Sequence, residues 1–334
     1  MHRIAFRCWL LLSIVFCSLW ITPVAASDPL PSWNDGLTKR QIIEFVHSVT
    51  NARGPHFVPA SQRIATFDND GTLWSEQPAY FQLQFSIYRT RQLVDSRPQW
   101  RTTQPFQAAL DNDLVALTSE NHKGFLALTA ATCGDLTVSE LHSEVASWLK
   151  SARHPRFKRP YTDLVFQPML ELLTYLKANH FSSYIVSGGD LEFIRAWAPR
   201  VYGIPPERII GSRLKTQAVQ RDGKPALLRL PEFEFFNNAS GKPISIRKVI
   251  GRRPIAAFGN SDGDLQMLEW TTTGSGKRLG VIIRHTDAQR EWSYDRGSRI
   301  GHLDKALDEA AGNKWTVVDM KRDWRVIYPF HLKR

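Results

Sequence analysis

Two carboxylates one residue apart, Asp68 and Asp70, stand within Thr66 to Trp74, TFDNDGTLW, where an apolar run meets a Gly-Thr turn. Ile64, Ala65 and Phe67 read as the end of a buried strand, because a short apolar run stopped by Asp-Gly is how a parallel-sheet strand meets its loop. Both acids then lie outside the carboxyl end of a strand, where open α/β sheets bind ligands. Side chains alternate along extended chain, so Asp68 and Asp70 face one side and repel unless a cation or a shared proton reconciles them. A hard divalent ion such as magnesium, which takes oxygen ligands, does so, and the chemistry this suggests is phosphoryl transfer. A calcium loop beginning at Asp68 would need Glu at its twelfth position, where Ala79 stands.

Two more loops carry polar groups of the same kind. Tyr184, Ile185 and Val186 form a β-prone run ending on Ser187-Gly188-Gly189, and paired glycines let backbone amides approach a ligand closely. A helix expected from about Leu191 to Arg200 aims its first amides at an anion, so this loop reads as a phosphate cradle. Further on, an expected strand from Ile255 to Phe258 leads into Gly259-Asn260-Ser261-Asp262-Gly263-Asp264. Two lysines are candidates to meet the negative charge. Lys242 opens an amphipathic helix marked by Ile244, Ile246, Val249 and Ile250, and Lys248 lies within it.

In this order, FDNDGTLW, IVSGGD (Ile185 to Asp190), GKPISI with Lys242, and AAFGNSDGDLQML (Ala256 to Leu268) resemble the four motifs of the haloacid dehalogenase-like (HAD) hydrolases. The resemblance spans roughly Arg63 to Ile283 and is strongest to the phosphoserine phosphatase-like group. It implies an α/β fold, a HAD-like three-layer α/β/α sandwich with a mainly parallel Rossmann-like sheet and a helical cap inserted after the first motif. It also implies a magnesium-dependent phosphomonoesterase. Asp68 is then the nucleophile that forms an aspartyl-phosphate, Asp70 the acid and base, Ser187 with Gly188 and Gly189 the phosphate contacts, and Lys242 the charge that holds Asp68 against the phosphate. The implied magnesium ligands are Asp68, the backbone carbonyl of Asp70, and the fourth-motif residues Asn260 and Asp264. Where the family usually has a ligating aspartate this chain has Asn260, so which of Asn260, Asp262 and Asp264 touches the ion stays open. An acid at position 70 sets the chain apart from the dehalogenase branch.

Those motifs need elements to position them. About 115 residues separate Thr72 from Ser187, with helix-like apolar spacing at Tyr80, Leu83, Ile87 and later at Leu141, Val145, Trp148. Residues 76–161 therefore read as a helical cap over an α/β core formed by 27–75 and 162–334, and caps of this kind close over the site and exclude water. Within it Glu76 is placed to meet an amine on the substrate, and Arg89 and Arg91 are basic candidates. Leu279 to Ile283 reads as a further core strand, with His285 and Asp287 in the loop after it. Trp315 to Val318 and Trp324 to Tyr328 read as short terminal strands or an extended tail.

The amino terminus carries Arg3 and Arg7, an apolar block from Cys8 to Ile21, and Val24-Ala25-Ala26 before Ser27, the pattern of a secretory signal peptide over 1–26. The expectation is an exported protein, periplasmic or secreted, with no membrane span once the signal is removed. Cys133 is then the one cysteine left, so stability rests on a packed core. The chain has 43 Lys and Arg against 32 Asp and Glu, a net charge of +11. That sign steers anionic phosphoesters toward the protein, and no repeat or nucleic-acid motif points to nucleic acid instead. The expected partner is a small phosphorylated metabolite. The alternatives are a phosphotransferase or mutase using the same chemistry, and an impaired scaffold that only binds a phosphate ligand. Composition leaves the oligomeric state open.

Overall fold

The computed structural model describes residues 28–332. The expected signal peptide over 1–26 lies outside the described residues. Helix α1 (Leu37–Thr50) precedes β1 (Ile64–Phe67), and four helices follow: α2 (Phe81–Leu93), α3 (Phe106–Leu110), α4 (Leu114–Cys133) and α5 (Val138–Ser151). Helix α6 (Gln167–Ala178) leads to β2 (Ser182–Asp190), and α7 (Leu191–Arg195) and α8 (Ala198–Tyr202) lead to the hairpin of β3 (Ile209–Arg221) and β4 (Lys224–Phe235). Then come α9 (Gly241–Ile250), β5 (Ala256–Gly259), α10 (Leu265–Thr272), β6 (Leu279–Thr286), β7 (Ser293–Tyr294), α11 (Lys305–Glu309), β8 (Thr316–Asp319) and α12 (Met320–Asp323).

The strands form one sheet in the order β4-β3-β2-β1-β5-β6-β7, with β8 also paired to β6. Its centre is parallel: β1 lies between β2 and β5, and β5 continues to β6. The two antiparallel pairings are at the margins, β3 with β4 and β6 with β7. Neighbouring residues on these strands bury into different cores. Ile185, Ile209, Phe258 and Ile283 join one apolar cluster with α1 and α6, whereas Val186, Ile210, Ala257 and Ile282 join another with α9, α10 and α11. Side chains alternate across a strand, so a sheet whose successive residues are all apolar must be covered on both faces. The result is the expected mainly parallel three-layer α/β/α arrangement.

A third cluster is made by Leu83, Ile87, Ala108, Leu117 and Leu128 from α2, α3 and α4. Helix α2 belongs to both, because Phe81 and Phe85 on its other side enter the main cluster. Leu141, Val145 and Trp148 of α5 also pack there.

Several elements differ from expectation. The helix expected over Leu191 to Arg200 is two short ones, broken around Ala196 and Trp197; Pro199, which has no N–H, is tolerated because it falls in the first turn of α8. Of the apolar residues that mark α9 only Ile246 is deeply buried, and Ile244 and Val249 are at least half exposed. Trp315 to Val318 largely becomes β8, whereas Trp324 to Tyr328 is not a strand: it makes one isolated bridge, Trp33 with Trp324, and buries Trp324, Ile327 and Tyr328 in the main core. Among the described residues, no helix is long and apolar enough to cross a membrane.

Candidate active site

β1 ends at Phe67, and the Asp68 N–H still donates to Phe258 O on β5 at 2.9 Å, which fixes the start of the first loop against the start of the fourth. The loop then turns tightly: the amides of Thr72 and Leu73 both return to the Asn69 carbonyl, and Gly71 adopts φ of +75°. Glycine suits that backbone, and there is no room for a side chain either, since a Cβ at Gly71 would lie 2.0 Å from Asn260 Nδ2.

Lys242, on the first turn of α9, is the cation of the site. Its Nζ donates to Asp68 Oδ1 and to Asp264 Oδ1, each at 2.6 Å, and it is 2% exposed. Burial alone would strip its proton, but the flanking carboxylates of Asp264 and Asp68 outweigh it and hold the ammonium charged. Lys248, the other candidate, is exposed. Asp264 uses its second oxygen as well, accepting from the amides of Asn260 (3.0 Å) and Ser261 (3.2 Å) and from the Ser261 hydroxyl. Asp262 is engaged elsewhere: its carboxylate accepts from the amides of Asp304, Lys305 and Ala306 at the start of α11.

Asp70 is held by Trp74, whose indole N–H donates to Oδ1 at 2.9 Å, and by Ser187, whose hydroxyl lies 3.4 Å from Oδ2. Ser187 in turn accepts from the Gly189 amide at 3.0 Å. The Asp190 amide donates to Gln82 of α2, and the Asp190 carboxylate caps α7 and is gripped at 3.1 and 2.6 Å by the buried Arg229 of β4. The end of β2, which carries the expected Ser187-Gly188-Gly189 loop as an irregular stretch of strand, is thereby tied to α2 and to the hairpin.

The remaining flank is acidic. Glu76 is 1% exposed, and its Oε1 accepts from Asn260 Nδ2 and from the Tyr294 hydroxyl, each at 2.7 Å. Thr72 Oγ1 donates to Asn260 Oδ1 at 3.1 Å. His285, stacked on Tyr294, places Nε2 2.8 Å from Gly71 O and Nδ1 3.0 Å from Glu291 Oε2. Burial pushes the Asp68 carboxyl up to about 8, with Asp264 and Asp70 adding to it despite Lys242, and burial likewise pushes Glu76 up to about 8. Asp70 is also raised, chiefly by burial.

Those shifts share their causes. Burial is the largest in each, and the carboxyl groups also crowd one another: Asp68, Asp70 and Asp264 lie about the ammonium of Lys242, and Glu76 is acted on by Asp68 and Asp70 as well as by His285. The donor set fits a hard cation: the second oxygen of Asp68, the Asp70 carbonyl, which accepts no hydrogen bond among the described residues, and the Asn260 amide oxygen. Among the described residues no group of three or more His, Cys, Asp or Glu is arranged to hold an ion, so a cation here would need carbonyl and amide oxygens as well as carboxylates.

Asp68, Asp70, Glu76, Gly188, Gly189 and Lys242 open onto one cavity of about 490 Å³. Tyr80, Phe125, Leu126, Phe233 and Phe236 give it an apolar side, and Arg299 and His302 a basic one. The structure thus brings together Asp68, Asp70, Glu76, Ser187, Lys242, Asn260 and Asp264. It does not bring in Arg89, which pairs with Glu144, or the exposed Arg91. Sequence reading missed Tyr294, for which no local signal exists, and Gln82 and Arg229, which stand in no motif. His285 was read as a loop residue, but it lies in β6 and is 2% exposed because β7 and Gly71 enclose it. Trp74 stacks on Trp197 with ring centroids 4.0 Å apart, while its N–H reaches Asp70.

The family model of the haloacid dehalogenase-like hydrolases matches residues 65–269. Among solved structures, a functionally unknown protein from Anaerococcus prevotii superposes with a TM-score of 0.55 at 16% identity, covering 87% of this chain and 94% of that one. A protein of unknown function from Bordetella pertussis superposes with a TM-score of 0.50 at 15% identity, covering 78% and 99%. At these identities the likeness is one of fold. Comparison with curated protein sequences finds no match.

Proposed function

We propose that this chain, which belongs to the haloacid dehalogenase-like hydrolase family, is a magnesium-dependent phosphomonoesterase acting on a small organic phosphate. The observation that carries the reading is Asp68, fixed through Oδ1 by Lys242 with its other oxygen free, at a cavity that it shares with Asp70 and the Gly188-Gly189 loop. The free oxygen attacks phosphorus, the ester P–O bond breaks, and an aspartyl-phosphate forms on Asp68. Asp70, whose carboxyl burial pushes toward the protonated form, gives a proton to the departing alkoxide. Asp70 then takes a proton from the water that attacks the phosphorus, releasing inorganic phosphate and the Asp68 carboxylate. Lys242 keeps Asp68 oriented and offsets the charge that accumulates beside it. Asp68, the Asp70 carbonyl and the Asn260 amide oxygen would hold magnesium, which neutralises charge on the phosphoryl oxygens.

The cavity volume suits a small metabolite, and Tyr80, Phe125 and Phe236 offer its leaving group an apolar surface. We assign residues 76–161 the role of a cap that shields the intermediate from water, and residues 1–26 that of an export signal; the field of a +11 chain favours capture of anionic esters. Hydrolysis of p-nitrophenyl phosphate tests the reading. Turnover is expected with magnesium, and loss of about 10⁴-fold or more in kcat in D68N. Failure of pure protein to turn over with magnesium present, together with equal behaviour of D68N, overturns it. Ranking phosphoserine, phosphocholine and nucleoside monophosphates by kcat/KM then identifies the substrate class.

A further inference from the structure

We propose that Glu76 is a positioning residue of the cation site, supplying through the Asn260 amide the negative charge that Asn260 itself does not carry. The inference rests on the reading of the site as a cation-dependent one and deepens it. Glu76 Oε1 accepts from the NH₂ end of Asn260 and from the Tyr294 hydroxyl, each at 2.7 Å. The amide oxygen is thereby turned away from Glu76, to the side where Thr72 Oγ1 meets it. Thr72 occupies one of its lone pairs and leaves the other as a cation ligand. Withdrawal of an amide proton toward an anion makes that oxygen a stronger donor to a cation, as a carboxylate behind a ligating histidine does for its ring.

The arrangement is built rather than incidental. Glu76 is 1% exposed, and its head is confined by two glycines: a Cβ at Gly71 would lie 2.4 Å from Oε1, and one at Gly301 would lie 2.0 Å from it. Both glycines have positive φ, +75° and +65°. The Tyr294 hydroxyl fixes the same oxygen from the carboxyl-terminal side of the chain. No Lys or Arg pairs with Glu76 among the described residues; its hydrogen-bond donors are an amide and a phenol. The cationic neighbour of Glu76 is the His285 imidazole, which makes its hydrogen bonds to Gly71 and Glu291 instead, so a bound divalent cation would supply the balance that a direct ion pair supplies elsewhere.

Magnesium binding measured calorimetrically, without substrate, tests this. In wild type magnesium binds; in E76Q, which preserves shape and a hydrogen bond to Asn260, affinity falls about tenfold or more. The double variant E76Q/N260D moves the charge one hydrogen bond inward, and its affinity is expected to return to within about threefold of wild type, with melting temperature confirming that each protein is folded. Unchanged affinity in E76Q with a raised KM for amine-bearing esters overturns the inference in favour of a substrate contact and leaves the phosphatase reading standing. Loss in E76Q that the double variant does not recover also overturns it. Absence of magnesium binding in wild type overturns both.

Discussion

The two flanks of the Asp68–Asp70 loop are held by different physics. On one, Lys242 lies between Asp68 and Asp264, all three nearly excluded from solvent, and the second oxygen of Asp264 is filled by amides of its own loop. Hydrogen bonds there are almost closed without any ligand. On the other flank, Glu76, Asn260, Thr72 and Tyr294 are joined by neutral donors around one carboxyl group, and no ammonium enters. The closed flank defines where the nucleophile stands. The open flank leaves acceptor oxygens and negative charge unmatched beside it, which is where a cation and the substrate phosphate have something to gain.

Removing the closed flank's one cation should therefore have the largest effect. K242M leaves Asp68 and Asp264 buried without their partner, and a stability loss of about 3–5 kcal/mol by urea unfolding is expected, with kcat lower by about 10³-fold. A wild-type melting profile in K242M would break the comparison, since the lysine would then be dispensable to the closed flank. D264N should come next. It keeps one oxygen for Lys242 but turns an NH₂ toward the Asn260 and Ser261 amides, so about 1–3 kcal/mol of stability is lost. Y294F, on the open flank, removes one neutral donor from Glu76 while keeping the ring on His285, and about 1 kcal/mol or less is expected in the same assay. A loss in Y294F equal to that in K242M would mean the open flank is as closed as the other.

The flanks also differed in how far they could be read from sequence. Asp68, Ser187, Lys242 and Asp264 stand at strand ends and a helix start, and short-range apolar patterning locates such elements. That patterning also located β1, β2, β5 and β6. The open flank depends on contacts over long separations. Tyr294 reaches Glu76 from 218 residues away, and His285 reaches Gly71 from 214. Nothing near Tyr294 marks it, because β7 is only two residues long and exists through pairing with β6. The β3–β4 hairpin escaped as well: Pro225, Pro231 and interspersed charges argue against a central strand, but they are tolerated on a strand with one free edge. Asp262 looked like a ligand by composition and serves instead to cap α11, a role that only the position of that helix reveals.

The smallest expected effect concerns pH and bears on what stands behind the open flank. His285 faces Gly71 O through one ring nitrogen and Glu291 through the other, and since both are acceptors, only the doubly protonated ring can donate to each. Burial opposes that charge, but Glu291 outweighs it, so the imidazole is raised above its usual 6.5. A group whose folded value is raised adds stability that is fully present below its unfolded value and is lost as pH rises through the folded one. In the magnesium-free protein, the share of stability that His285 contributes should therefore decline from about pH 6.5 upward, on top of the decline set by the raised Asp68 and Glu76 carboxyls, so the profile from urea unfolding should be shallower above about pH 6.5 in H285N, which cannot carry the charge. Parallel profiles for the two proteins would show that His285 is neutral and supports Gly71 through a single hydrogen bond, making both flanks of the loop depend on neutral contacts outside Lys242.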